Sequence, residues 1–162
     1  IVAALAAATL GDRCARLVLV DGGWADVAAT ADMDVDEFLR GLDEPPEVLS
    51  SMRAFLRDRR AFDPATWDDD QERAARATVV ETAAGKVVPA TRPHALVASV
   101  EAMFRYRPVD VLPRVTAPIV ALAATTRPPP RGSGMEVREL AAVGHNLMRY
   151  RPDEVAAAIL DD

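Results

Sequence analysis

A histidine at the end of an apolar segment is the side chain of this sequence best suited to acid–base chemistry. The segment 135–143 reads MEVRELAAV, and Gly144 and His145 follow it. A short apolar run predicts a buried β-strand, and in open parallel sheets ligands bind at the carboxyl ends of the strands. Because imidazole titrates near neutral pH, His145 in that position is a candidate general base. The alternative is a loop histidine that hydrogen-bonds to the backbone.

A second candidate for catalysis, Asp21, also follows an apolar run. The segment 15–23 reads ARLVLVDGG and predicts a strand that ends at Asp21. In a parallel sheet, this carboxylate and His145 would lie at the same edge. A carboxylate beside an imidazole fixes its tautomer and stabilises its protonated form. The alternative for Asp21 is a structural role in the Asp-Gly-Gly turn.

The other reactive or metal-binding side chains favour structural roles. His94 stands at the start of a predicted helix, where a solvated or capping histidine is expected. The run DDD at 68–70 lacks the glycine and glutamate spacing of a calcium loop and is typical of the first turn of a helix. The single cysteine, Cys14, permits no internal disulfide and no cysteine-based zinc site. We therefore expect neither a metal nor a cofactor.

Three apolar segments predict the sheet that positions these side chains. They are 15–23, 117–124 and 135–143, and each adjoins helical sequence. Strand–helix units of this kind build a parallel sheet covered by helices. The apolar decamer Ile1–Leu10 predicts a buried helix closed at Gly11, and a terminal helix is expected from Pro152.

The region between the first two strands, 24–116, is predicted to be a mostly helical insertion. The segment 45–60 has apolar residues at helical spacing, and the segment 63–80 opens with the helix-start pair Asp-Pro. A hairpin is expected over 79–89. The predicted organisation is a core made of 1–23 and 117–162 and a helical cap or lid made of 24–116.

The order of these segments resembles the C-terminal half of an α/β-hydrolase. The residues that carry the resemblance are VAALAAATLGDRCARLVLVDGG, the helical insertion, YRPVDVLPRVTAPIVALAA and VRELAAVGHNLMRYRPDEVAAAIL. It implies an α/β fold with part of a mostly parallel sheet, flanking helices and an inserted helical cap. It also implies that His145 is the catalytic histidine of an esterase-like hydrolase.

Two departures from that family affect the expected mechanism. No Gly-x-Ser-x-Gly occurs in the 162 residues, since Ser50 and Ser51 fall within a predicted helix and Ser133 follows a proline-rich loop. The nucleophile and its oxyanion hole are therefore expected upstream of Ile1. The family usually has its acid after the strand matching 117–124, but here that loop reads TTRPPPRGSG, without Asp or Glu. Asp21 is the best replacement.

The expected function is a serine-type hydrolase of an ester or related acyl bond. This chain would be its C-terminal fragment, inactive by itself, with the missing N-terminal half of the same domain as its partner. Trp24, Met103 and Phe104 would line an apolar pocket for a small-molecule substrate, the alternative being ordinary packing of cap on body. Two other functions remain open: a non-catalytic relative that binds a ligand or partner, and a dehalogenase or epoxide hydrolase with an upstream aspartate nucleophile.

Charge and hydropathy indicate whether nucleic acid or a membrane is an expected partner. The formal net charge is −6, and the basic residues are interleaved with acidic ones, so no nucleic-acid surface is expected. The apolar opening is ten residues long, too short to span a bilayer, and it has no basic leader. We therefore expect no membrane association and a cytoplasmic location.

Overall fold

The chain combines a parallel sheet, a small hairpin and helices. The computed structural model describes residues 1–42, 50–124, 129–130, 132, 134–140 and 146–160. The strands are β1 (Leu17–Val20), β2 (Val79–Glu81), β3 (Val87–Pro89), β4 (Ile119–Ala124) and β5 (Glu136–Leu140). The helices are α1 (Val2–Leu10), α2 (Val27–Thr30), α3 (Val35–Leu42), α4 (Met52–Phe62), α5 (Asp69–Ala77), α6 (Pro93–Arg105), α7 (Pro108–Val111), α8 (Leu147–Tyr150) and α9 (Pro152–Leu160).

These elements belong to two units of the chain. One unit consists of Ile1–Ala31 and Met103–Asp162, and the other of Asp32–Ala102. The division expected from the sequence, a core of 1–23 and 117–162 and a cap of 24–116, stays a prediction.

The first unit is built on a three-stranded parallel sheet in the order β1-β4-β5. The register pairs Leu17 with Ile119 and Ala124 with Leu140, so the carboxyl ends of the strands meet at one edge. In the central strand β4, every residue from Val120 to Ala124 is buried. Burial on both faces explains why the segment is continuously apolar. The predicted parallel sheet with flanking helices is confirmed.

Alternate residues of the strands pack into two separate clusters, one on each face of the sheet. On one face, buried side chains of α1, β1 and β4 pack with Trp24 of the loop after β1 and with residues of the segment that leads into β4. This cluster consists of Ala4, Ala7, Leu17, Leu19, Trp24, Tyr106, Val111, Ala121 and Ala123. On the other face, β4 packs against α8 and α9 through Val120, Leu122, Ala124, Leu147, Val155 and Ala158. The two-residue side-chain period of a strand produces this division.

The second unit contains the antiparallel hairpin of β2 and β3, in which Val80 pairs with Val88. Helix α4 packs on α5, and α5 packs on β2. The hairpin turn contains Gly85, whose φ of 72° lies in the left-handed region that glycine tolerates. This part of the insertion therefore has its own helical layer and a short sheet.

Two helix starts in the second unit differ from the sequence prediction. Ser51 does not lie within a helix: it caps α4, and its hydroxyl accepts a hydrogen bond from the amide of Ala54 at 3.2 Å. The helix expected from Pro64 is interrupted, because a 3₁₀ turn covers Pro64–Thr66 and Asp68 caps a new helix, α5. In both cases a side-chain oxygen accepts a hydrogen bond from an amide that has no acceptor within the helix. This hydrogen bond determines at which residue the helix begins.

Candidate active site

Asp21 lies where β1 ends, at the edge formed by the carboxyl ends of the parallel strands. Its backbone amide donates to the carbonyl of Leu122 at 2.7 Å, which extends the pairing of β1 with β4. Its carboxylate Oδ1 accepts a hydrogen bond from the amide of Ala124 at 3.1 Å. The residue is only 5% exposed. A buried carboxylate held at this edge is suited to orienting a nearby imidazole.

The turn that carries Asp21 has two residues in the left-handed region. Asp21 itself has a φ of 49°, and Gly23 has a φ of 95°. For a residue with a Cβ this conformation costs about 1–2 kcal/mol, although aspartate tolerates it better than most side chains. A Cβ on Gly23 would lie 3.1 Å from Cδ2 of Leu19. The Asp-Gly-Gly sequence is therefore matched to the sharp turn that directs the chain away from the sheet.

His145, the predicted general base, lies outside the described residues, as does the whole segment 141–145. The described residues on either side of that segment lie close to Ala124, whose amide binds Asp21. Leu140 ends β5 and pairs with Ala124, while Leu147 is fully buried in the same cluster as Ala124. Asn146 occupies the N-cap position of α8.

A cavity of about 1240 Å³ lies within the first unit, and Asp21 is part of its wall. Apolar side chains dominate the lining and include Trp24, Met103, Tyr106, Pro108, Leu112, Ile119 and Met135. Trp24 is only 8% exposed and also belongs to the hydrophobic cluster on that face of the sheet. The structure therefore brings Asp21, Trp24 and Met103 to one cavity. Phe104 is not among the lining residues that the structure describes, so its contact with substrate stays a prediction.

Two polar contacts attach the loop after β1 to the segment after α6. The hydroxyl of Tyr106 donates to the carbonyl of Gly23 at 2.8 Å. Asp26 caps α2 by accepting from the amide of Ala29 at 3.0 Å, and its other oxygen lies 4.0 Å from Nε of Arg107. The hydrogen bond of Tyr106 holds the wall of the cavity next to Asp21, whereas the longer, exposed ion pair contributes little.

Tyr106 is a residue that the sequence reasoning missed. It is buried, and this burial raises the pKa of its hydroxyl because the charged form loses solvation. A buried tyrosine is expected to satisfy its hydroxyl, as Tyr106 does through Gly23. A tyrosine close behind the apolar face of a predicted helix was the only available signal, and the sequence does not identify its distant partner.

The residues assigned structural roles behave accordingly. His94 is exposed in the first turn of α6. Asp68 caps α5, while Asp70 pairs with Arg73. Among the described residues, no three His, Cys, Asp or Glu side chains come together as a metal ion would require. Within the same ranges, no helix has the length and apolar character needed to cross a bilayer.

Comparison with solved structures identifies the fold. The chain matches E-2-(acetamidomethylene)succinate hydrolase with a TM-score of 0.68 at 15% identity, over 96% of this chain and 60% of that chain. It matches a thioesterase domain from the curacin biosynthetic pathway with a TM-score of 0.67 at 14% identity, over 98% and 62%. An esterase of M. tuberculosis matches with a TM-score of 0.64 at 19% identity, over 99% and 59%.

The chain therefore has the α/β-hydrolase fold, as its sequence predicts. It spans about 60% of the length of these three structures. No protein-family model matches the chain, and no curated protein matches it in sequence. At identities this low the likeness establishes the fold, and the roles of individual residues depend on their geometry.

Proposed function

We propose that this chain contributes the histidine and the acid of a serine-type hydrolase that cleaves an ester or related acyl bond. The observation that carries the proposal is the buried carboxylate of Asp21, held at the carboxyl edge of a parallel sheet and bordering a large apolar cavity. In this fold His145 serves as general base, and Asp21 orients it. The catalytic serine lies outside these 162 residues.

The pairing of His145 with Asp21 is supported by the neighbours of Ala124. Ala124 donates its amide to the carboxylate of Asp21, and it pairs in the sheet with Leu140, five residues before His145. Leu147, two residues after His145, packs in the same cluster as Ala124. Leu140 and Leu147 therefore both lie beside Ala124, whose amide binds the carboxylate, and this supports the proposed pairing.

The proposed reaction has two steps that share His145. The imidazole takes the proton of the serine hydroxyl as the serine attacks the carbonyl, and it then passes that proton to the leaving group. A water molecule activated by the same imidazole hydrolyses the acyl-enzyme and releases the acid. Asp21 fixes the tautomer of the ring and stabilises its protonated form, a role worth about 10⁴ in rate in related enzymes.

The proposed substrate is a small molecule with an apolar part. The wall formed by Trp24, Met103 and Tyr106 favours an acyl or alkyl group over a heavily hydrated one. Phe104 remains a proposed contact on the basis of the sequence alone.

The proposed position of the nucleophile is supported by the sequence and by the fold comparison. Gly-x-Ser-x-Gly is absent from the 162 residues, and the chain spans about 60% of the length of similar structures. We infer that the serine and its oxyanion hole belong to the N-terminal half of the same domain. By itself, the chain is then expected to be inactive.

The test uses the polypeptide extended by the residues encoded before Ile1. We expect it to hydrolyse p-nitrophenyl esters, and His145→Ala and Asp21→Asn to reduce kcat by about 10³–10⁴. His94→Ala is the matched control, because that histidine is exposed at a helix start, and it should leave kcat unchanged. Activity that survives His145→Ala would refute the proposed base.

A second function is favoured by the loop 125–134, which has no acidic residue at the position where the family usually has one. In that case the chain belongs to a non-catalytic relative that binds a ligand in the apolar cavity. The extended polypeptide separates the possibilities: a glycine-flanked serine predicts ester hydrolysis, a glycine-flanked aspartate predicts dehalogenase or epoxide hydrolase activity, and neither predicts binding without turnover.

A further inference from the structure

We propose that the second unit contains a binding site for a small organic anion, a phosphate or sulfate ester with an aromatic or apolar body. This proposal is independent of the hydrolase function. The site is a groove of about 520 Å³. Its described lining consists of Met52, Arg53, Leu56, Arg57, Arg60, Trp67, Glu72, Arg76 and Glu81.

Three of the arginines form a row on one face of α4. At 100° per residue, Arg53, Arg57 and Arg60 fall within an arc of roughly 60°, and the row is about 10 Å long. The opposite face of the same helix is the packed one: Phe55 is 1% exposed, and the guanidinium of Arg59 lies 5.3 Å from the centre of its ring. The helix thus buries one face and presents three cations on the other, along the groove.

The charge of this row is only partly compensated. Within the described part of the chain, Arg53 and Arg60 make no ion pair, and Arg57 pairs with its exposed neighbour Asp58 at 3.3 Å. Like charges three and four residues apart destabilise a helix. An anion bound between them would relieve that repulsion, and guanidinium groups suit phosphate and sulfate oxygens because they donate two parallel hydrogen bonds.

Helix α5 and strand β2 contribute one paired cation and two carboxylates to the lining of the groove. Arg76 donates from Nε at 2.9 Å and from Nη2 at 2.7 Å to a single oxygen of Glu72, so its charge is already paired. Glu81 is the second carboxylate of the lining. The lining contains four arginines and two glutamates, so it stays positive even when Asp58 is counted against Arg57, although the whole chain carries a net charge of −6.

Half-buried apolar side chains beside the arginine row would contact the aromatic or apolar part of the ligand. Trp67 lies between the 3₁₀ turn and α5, while Met52 and Leu56 flank the row on α4. An indole face next to guanidinium groups accommodates a flat ring while the cations hold its anionic group. We therefore expect an aryl phosphate to bind better than either of its parts.

The test is a titration of the chain with phenyl phosphate, followed by NMR. We expect the indole N–H resonance of Trp67, assigned with Trp67→Phe, to shift in a saturable manner. The double variant Arg53→Gln/Arg60→Gln should weaken binding at least about tenfold, since it removes two groove arginines that have no ion pair among the described residues. The matched double variant Arg40→Gln/Arg92→Gln removes the same charge from exposed arginines outside the described groove lining and should change the dissociation constant less than about twofold.

Three results would overturn the proposal. They are the absence of a saturable shift at Trp67, an equal loss of affinity in both double variants, and equally tight binding of inorganic phosphate or phenol. The substituted arginines are exposed, so both double variants should keep the native urea midpoint. Raising the salt concentration should weaken binding, because exposed charges are screened.

Discussion

The carboxylate of Asp21 accepts a hydrogen bond from the backbone amide of Ala124 at 3.1 Å, and this bond joins the ends of two neighbouring parallel strands. Ala124 is the last residue of β4 and is 2% exposed, so its amide has no access to water. A single side chain therefore satisfies a buried donor and stands at the carboxyl edge of the sheet, where ligands bind in open parallel sheets.

Substitutions of Asp21 should separate its structural role from its charge. Asn tolerates the left-handed φ of 49° and keeps an oxygen that can accept from Ala124, so Asp21→Asn should cost less than about 1 kcal/mol of stability. Asp21→Ala leaves the amide of Ala124 buried and unpaired, which should cost about 1–3 kcal/mol. Urea unfolding measures both. Equal losses in the two variants would show that the hydrogen bond contributes little.

Gly22 and Gly23 provide a matched pair for the turn after β1. A Cβ on Gly23 meets Leu19 at 3.1 Å, and its φ of 95° disfavours side chains, so Gly23→Ala should destabilise the chain by about 1–3 kcal/mol. At Gly22, no atom of the described residues lies within 4 Å of an added Cβ, and its φ is outside the left-handed region. Gly22→Ala should therefore leave stability unchanged or raise it by about 0.4–1 kcal/mol. A loss of stability in both variants, or a gain in both, would contradict the turn geometry.

Tyr106 should make the stability of the chain sensitive to alkaline pH. Burial raises the pKa of its hydroxyl in the folded state above the ordinary value of about 10. As pH rises above 10, the unfolded state releases this proton first, so the contribution of Tyr106 to stability falls until the pH reaches the folded-state pKa.

Comparison with Tyr106→Phe isolates this effect. The variant loses the hydrogen bond to Gly23, which should cost about 1–3 kcal/mol near pH 8. The gap in urea midpoint between the two proteins should narrow as the pH is raised from 8 to about 11. A gap that stays constant over this range would show that Tyr106 does not contribute to the alkaline loss of stability.

The sequence predicts the elements of the first unit because their signals are local. The apolar runs around Val18 and Val120 indicate strands buried on both faces, and Pro152 followed by two acidic residues indicates a helix start. The sequence predicts the position of Asp21 at a strand end for the same reason, since this residue directly follows such a run, while its catalytic role stays a prediction. These features need no knowledge of distant neighbours.

Other features depend on partners that local patterns do not reveal. The contact between Tyr106 and Gly23 joins residues 83 positions apart. The arginine row on α4 is visible in the spacing 53, 57 and 60, but Trp67 and the carboxylates that complete the groove come from later elements. At Pro64 the local signal gives the wrong helix start. The Asp-Pro pair predicts a helix from Pro64, but Asp68 caps the helix, which begins at Asp69.

Among the aspartates at 68–70, Asp68 should act as a helix cap, and none of the three should act through a metal. Asp68 accepts a hydrogen bond from the amide of Gln71 at 2.8 Å, so Asp68→Ala should lower the free energy of unfolding by about 1 kcal/mol. Asp69 provides the matched control, because it lies in the first turn without a capping bond among the described contacts. Asp69→Ala should lower the free energy of unfolding by a smaller amount, from about 0.3 to at most 1 kcal/mol. Neither calcium nor a chelator should change the melting temperature. A rise in melting temperature with calcium that disappears in Asp68→Ala would instead indicate that these carboxylates bind the cation.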